Sequence, residues 1–205
     1  MKRWRLLVIV CLAAALLGVW TGTQWQSGPS LQQAVWLDTP RALPAIDIVT
    51  TDGNTVPLNA ATGQWRLIFP GFTYCPDICP DTLSRLAQIA PKLAPVQVTL
   101  FSVDPQRDTP ERLREYVRYF DPSFEAITPA SVDTLPDMAL ALSVAYAKVP
   151  LEGDAYTLDH STAMPLIDPE GRLVAFFTEL KDPEVFAADL QHIVESVAQG
   201  KRPRT

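Results

Sequence analysis

Histidine occurs only twice and cysteine only three times in these 205 residues, so few side chains are available for metal or thiol chemistry. Cys11 lies inside an N-terminal apolar run, which leaves Cys75 and Cys79 for the body of the chain. Several signatures are missing altogether. There is no G-x-S-x-G for a serine hydrolase, no G-x-x-x-x-G-K to cradle phosphates and no G-x-G-x-x-G to hold a dinucleotide. The P-x-x-x-T-x-x-C arrangement of peroxiredoxin-type peroxidases is missing too. Positive charge is scarce in the body. Six of the 17 basic residues crowd into the first five and last five positions, leaving 11 against 23 acidic residues, so residues 6–200 carry −12. A body that acidic repels phosphate backbones, which argues against a nucleic-acid partner. The apolar share of 47% and charged share of 20% exclude a disordered chain.

One long apolar run is present. Lys2, Arg3 and Arg5 precede LLVIVCLAAALLGVW, residues 6–20. A positive flank followed by an apolar run is an export signal that leaves the N-terminus in the cytoplasm. Helix over that run reaches about 22 Å, and continuing to residue 23 brings it to about 27 Å, close to the roughly 30 Å hydrocarbon core. No convincing A-x-A cleavage site follows. The expectation is an uncleaved signal anchor over residues 1–23, a single pass of the cytoplasmic membrane with the domain on the periplasmic, outer face. Cys11 is then an apolar packing residue. Residues 24–43 have no clean period and include Gly28, Pro29, Ser30 and Pro40, so they read as a tether. Residues 200–205 form a basic tail.

The stretch AIDIVTTDGNTVPL predicts a hairpin turning at Asp52-Gly53-Asn54. WRLIFPGF and VQVTLFSV are short apolar runs of the kind buried strands use. Between them, residues 81–90 place Leu83, Leu86, Ala87 and Ala90 on one helical face, with Pro80 suited to the first helical position. In DPQRDTPERLREYVRYF, Asp108 or Thr109 caps a helix and Pro110 opens it. Residues 135–144 suggest another helix. STAMPLIDPEGRLVAFF reads as two strands around an Asp168-Pro169-Glu170-Gly171 turn, and residues 183–197 close the chain as an amphipathic helix. This order predicts an α/β domain over residues 44–199: a mixed central sheet, helices on both faces and an N-terminal β-hairpin. The arrangement is thioredoxin-like, with an inserted segment around residues 104–131.

The chemistry concentrates in GFTYCPDICPDTL. Cys75 and Cys79 are separated by three residues, and each precedes a proline. A disulfide closing so short a loop would be a weak structural staple. The pair sits instead where a strand gives way to a helix, and a helix N-terminus favours the thiolate. Thiolates so placed exchange disulfides or bind a soft metal. Exchange sites usually have two intervening residues, against three here. Two thiolates can hold Cu(I), and a nearby imidazole would make a three-coordinate site that also tolerates Cu(II). Zinc generally asks for four ligands, and the chain offers three obvious ones.

His160 is the candidate third ligand. It sits in TLDHSTAMPL, just before an expected strand over residues 162–167, and in a thioredoxin-like sheet the loop entering that strand lies beside the cysteine loop. Asp159 is either its orienting partner or an ordinary loop carboxylate. Met164 reads as a core methionine. His192 reads as an ordinary residue of the last helix. Asp104, Arg107 and Asp108 read as a loop braced by ion pairs and a helix cap.

Three stretches in order, TYCPDICPDTL, FSVDPQRDTPERLREY and LDHSTAMPLIDPEGRL, follow the N-terminal run and closely resemble the Sco/SenC family. The resemblance covers residues 44–198. It implies a thioredoxin fold on the outer face of a respiratory membrane. It implies copper bound by two cysteines and a histidine, which map to Cys75, Cys79 and His160. It further implies a metallochaperone that helps build the copper A site of cytochrome c oxidase subunit II. A thiol reductant and another copper carrier are further expected partners. Members commonly carry a Thr-His or similar pair before the first cysteine, where this chain has Thr73-Tyr74. The alternative is an enzyme, a thiol:disulfide oxidoreductase that uses Cys75 and Cys79 to reduce the oxidase subunit or another exported partner.

Overall fold

The structure, a computed structural model, describes residues 30–201 together with residues 12, 14 and 203. The expected anchor over residues 1–23 lies outside the described residues except for Leu12 and Ala14. Among the described residues no helix is long and apolar enough to cross a membrane.

Two neighbouring parallel strands, β4 (Trp65–Gly71) and β5 (Val96–Ser102), form the middle of an eight-stranded sheet. Every residue of β4, and all but Gln97 of β5, is buried. Burial on both faces is the usual condition of parallel strands and explains their unbroken apolar runs. Alternating side chains then divide the core. Leu67, Phe69, Val98 and Leu100 enter one cluster, while Ile68 and Phe101 enter the other. The first cluster packs α1 (Ile78–Leu93), α2 (Pro110–Phe120) and α4 (Pro183–Ala198) on one face. The second packs α3 (Leu135–Ala141) and irregular chain on the opposite face.

The remaining strands of this sheet are β1 (Ala34–Ala42), β2 (Asp47–Thr50), β3 (Thr55–Pro57), β6 (Glu125–Pro129), β9 (Met164–Ile167) and β10 (Arg172–Phe177), in the order β1-β10-β9-β4-β5-β6-β2-β3. β4, β5 and β6 run parallel, and the other pairings are antiparallel. The expected mixed sheet, the N-terminal hairpin β2–β3 and helices on both faces are all present. A separate two-stranded ribbon joins β7 (Tyr146–Pro150) to β8 (Tyr156–His160).

Two expectations need correction. Much of the stretch read as tether is edge strand β1, paired with β10 from Ala34↔Phe177 to Ala42↔Arg172. Its register breaks between Trp36 and Arg41, around Pro40, and only Ala34 is fully buried, so no period of two is left in the sequence. Its approach is fixed by Asp189 of α4, whose Oδ2 accepts the amides of Gln32, Gln33 and Ala34 at 2.8, 2.6 and 3.1 Å. Residues 104–131 contain α2 and β6, and β6 extends the parallel part of the sheet. Finally, α1 starts at Ile78, so Pro80 is its third residue. The first-turn amides have no helical partners, and a proline there loses nothing.

Candidate metal centre

The centre forms where β4 ends and α1 begins. Gly71 closes β4 and leaves room for Cys79. A Cβ at Gly71 would lie 2.9 Å from Leu100 Cδ1 and 3.2 Å from Cys79 Sγ. The chain then turns, with the Cys75 amide donating to the Phe72 carbonyl at 3.2 Å. Asp77 precedes the helix but makes no side-chain capping bond. Cys75 supplies that acceptor instead, its Sγ receiving the Cys79 amide at 3.4 Å. One unpaired amide of the helix N-terminus is thus spent on a sulfur.

The two thiols are unequal. Cys75 is half-buried, and Cys79 is completely buried. The Cys75 thiol is lowered to about 4, first by its hydrogen bond with Cys79 and then, against the cost of burial, by His160 and the Cys79 and Asp77 amides. The Cys79 thiol is raised, first by that same bond and then by burial. The first proton therefore leaves Cys75, and Cys79 keeps its own while Cys75 is charged.

His160 reaches the pair from the last position of β8, with Nε2 at 3.6 Å from Cys79 Sγ. Its Nδ1 lies 3.0 Å from the Ser161 carbonyl. A carbonyl only accepts, so Nδ1 carries a proton, and Nε2 is the nitrogen turned toward the sulfurs. The Phe72 ring meets the imidazole edge-on at 6.1 Å between centroids. β9 pairs antiparallel with β4, Leu166 opposite Leu67, which brings the chain just before β9 alongside the chain just after β4.

His160 thus occupies a strand end rather than the open loop expected. That change removes Asp159 from the centre. Adjacent strand residues face opposite sides, and Asp159 is exposed while His160 turns inward. The Ser161 carbonyl takes the orienting role instead. Met164 is a core residue of the first cluster that also lines a 430 Å³ cavity beside His160, with Ile78, Thr82 and Lys181. His192 is a half-buried residue of α4, as expected.

The Asp104–Asp108 loop is braced as expected, but its bonds reach farther than a local loop requires. Asp108 is almost fully buried. Its carboxylate accepts the Thr73 hydroxyl at 2.6 Å, the Thr73 amide at 3.2 Å and the Ser102 hydroxyl at 2.7 Å, which pins the cysteine loop to the end of β5. Burial pushes its pKa up against those bonds. Thr109, not Asp108, caps α2 by accepting the Arg112 amide. From α2, Tyr116 packs against the first core cluster, and its pKa is raised, first by burial. Thr73 and Phe72 were not anticipated as site residues, because their roles depend on contacts across the sheet.

Two soft sulfurs and one imidazole nitrogen therefore converge. Metal–sulfur and metal–nitrogen bonds of about 2.3 and 2.0 Å at a trigonal angle would set S and N about 3.7 Å apart, close to the 3.6 Å found here. The contact seen is pairwise: among the described residues no group of three or more His, Cys, Asp or Glu is placed so that it could hold a metal ion as it stands. Such a set fits a soft, low-coordinate ion better than zinc.

Comparison with known proteins agrees with this architecture. The SCO1/SenC family model matches residues 39–195. The mitochondrial SCO2 homolog of Bos taurus is 33% identical over 199 residues, 89% of this chain and 72% of its own length. The crystal structure of Arabidopsis thaliana ScoI with copper bound matches with a TM-score of 0.68 at 32% identity, over 77% of this chain and 99% of that one. Yeast Sco1 with copper bound matches with a TM-score of 0.68 at 29% identity, over 77% and 90%. The chain belongs to the SCO1/SenC family and has its thioredoxin-like α/β fold, with a mixed central sheet and four helices among the described residues.

Proposed function

We propose that this protein is a copper metallochaperone which holds copper on Cys75, Cys79 and His160. The observation that carries the reading is the approach of His160 Nε2 to Cys79 Sγ beside a half-buried Cys75. Copper-bound relatives of the same fold support the choice of metal, and the Sco family is one of cytochrome c oxidase assembly proteins. The recipient we assign is the copper A site of oxidase subunit II. Residues 1–23 anchor the protein in the cytoplasmic membrane, with the domain on the outer face. His160 binds through Nε2 while its Nδ1–H stays on the Ser161 carbonyl. Cys75, the more accessible sulfur, is where a recipient's thiol or imidazole first competes. Ligands are then exchanged one at a time.

The inequality of the thiols favours a second reading, disulfide exchange. Cys75 thiolate would attack a partner disulfide, forming a mixed disulfide and releasing one partner thiolate. Cys79, giving up its proton, would attack the Cys75 sulfur, releasing the second thiolate and leaving Cys75–Cys79 oxidised. An exported thiol reductant would restore the pair.

The test is Cu(I) competition against a calibrated chelator, with the reduced full-length protein in detergent under anaerobic conditions. Tight one-to-one binding, lost in Cys75→Ser and Cys79→Ser and weakened in His160→Ala, supports copper carriage. Binding that is weak or independent of His160 shifts the assignment to disulfide exchange.

A further inference from the structure

His160 is delivered by a ribbon that the main sheet does not hold. Among the described residues β7 and β8 pair only with each other, so the place of the imidazole depends on what fastens the ribbon to the body. Along β8, Tyr156, Leu158 and His160 share one face. Leu158 provides apolar fastening, buried in the second core cluster. Tyr156 provides the polar part. Its hydroxyl donates to Asp104 Oδ1 at 2.8 Å, and its carbonyl accepts Arg107 Nη1 at 3.0 Å.

Arg107 does more than donate. Its guanidinium carbon stands 3.7 Å from the Tyr156 ring centroid and 4.7 Å from that of Tyr74, the residue before Cys75. Phe72, edge-on to His160, is 5.9 Å away. Nε is ion-paired with the buried carboxylate of Asp104. One side chain therefore touches rings on both elements that bear the proposed ligands. Its Nη2 is buried without a hydrogen-bond partner among the described residues. Such a group costs stability, so hydrogen bonding alone does not account for where the guanidinium sits.

We propose that Arg107 is a positioning residue for the metal centre: in contact with both Tyr74 and Tyr156, it holds β8, and with it His160, in register with the cysteine loop. The proposal rests on Cys75, Cys79 and His160 being the ligands. Arginine suits the task because its planar cation stacks on rings while its edge donates in plane. A lysine ammonium has neither the flat face nor the fork.

The experiment is a double-mutant cycle read by Cu(I) competition, using the reduced full-length protein. Wild type and Cys75→Ser come first. Tight binding by wild type and its loss in Cys75→Ser establish the ligand reading independently of Arg107. With that in place, Arg107→Ala lowers copper affinity about 10-fold or more, the range for residues that orient metal ligands, and Arg107→Lys recovers little of it. In a His160→Ala background the same Arg107→Ala change alters affinity less than about 2-fold, because there is no imidazole left to place. Tyr156→Leu removes the stacking surface while leaving Arg107 paired with Asp104. It shows the same dependence on His160 and decides the matter if Arg107→Ala does not fold. An unchanged affinity, or an equal loss with and without His160, overturns the proposal.

Discussion

Cys79 Sγ stands 3.6 Å from His160 Nε2, although 81 positions separate the two residues. Two features of the fold produce the contact. Antiparallel pairing of β9 with β4 folds the chain preceding β9 back toward the cysteine loop, and the ribbon β7–β8 aims the ring at the buried thiol. The centre is thus a product of topology, and the predictions below address the contacts that maintain it.

The inequality of the thiols is visible in alkylation. In the reduced, metal-free protein, Cys75 is modified before Cys79, because it is accessible and is a thiolate at neutral pH. A thiol lowered to about 4 keeps its thiolate down to that pH and loses it only as pH falls further. The rate at Cys75 is therefore flat from about pH 6 to 8, where an ordinary thiol would accelerate roughly 75-fold. Mass spectrometry of iodoacetamide-treated protein at several pH values reads this directly. A rate that climbs like that of a free cysteine refutes the assignment.

Gly71→Ala introduces a Cβ 2.9 Å from Leu100 Cδ1 and 3.2 Å from Cys79 Sγ. Both neighbours are fully buried, so the strain falls on the core and on the second sulfur together. Stability drops by about 1–3 kcal/mol in urea melts, and copper affinity falls with it. Unaltered affinity would show that Cys79 tolerates displacement.

Asp108→Ala leaves the Thr73 amide and the Thr73 and Ser102 hydroxyls without their shared acceptor. Each unpaired buried group costs about 1–3 kcal/mol. The cysteine loop loosens before the rest of the domain, and amide hydrogen exchange at Thr73 accelerates more than exchange in β4. Uniform acceleration across both would point to global destabilisation alone.

Asp189→Ala removes the acceptor of three successive amides at the start of β1. A loss of about 2 kcal/mol lowers the melting temperature by about 4–8 °C in a domain of this size. Limited proteolysis then cuts near Gln32 and Gln33 first. Resistance there equal to wild type would mean that sheet pairing alone secures β1.

These contacts also show what could be read from the sequence. The buried strands and the amphipathic helices were legible because their periods are local. Cys75 and Cys79 stood out because thiols are rare and a strand-to-helix junction activates them. His160 followed from the motif order, but its place at the end of β8 did not, since a short ribbon outside the sheet leaves no clear pattern. β1 was hidden by a register break around Pro40 and by its half-exposed edge position. Arg107 read correctly as a braced loop residue, and its contacts with Tyr74 and Tyr156 lay beyond any local pattern.

The most direct test of the centre is X-ray absorption at the copper edge of the Cu(I)-loaded, full-length protein. The account predicts two sulfur ligands and one nitrogen, with the nitrogen contribution gone in His160→Ala and the sulfurs retained. A first shell of sulfur alone in the wild type, or a nitrogen that survives His160→Ala, would contradict it.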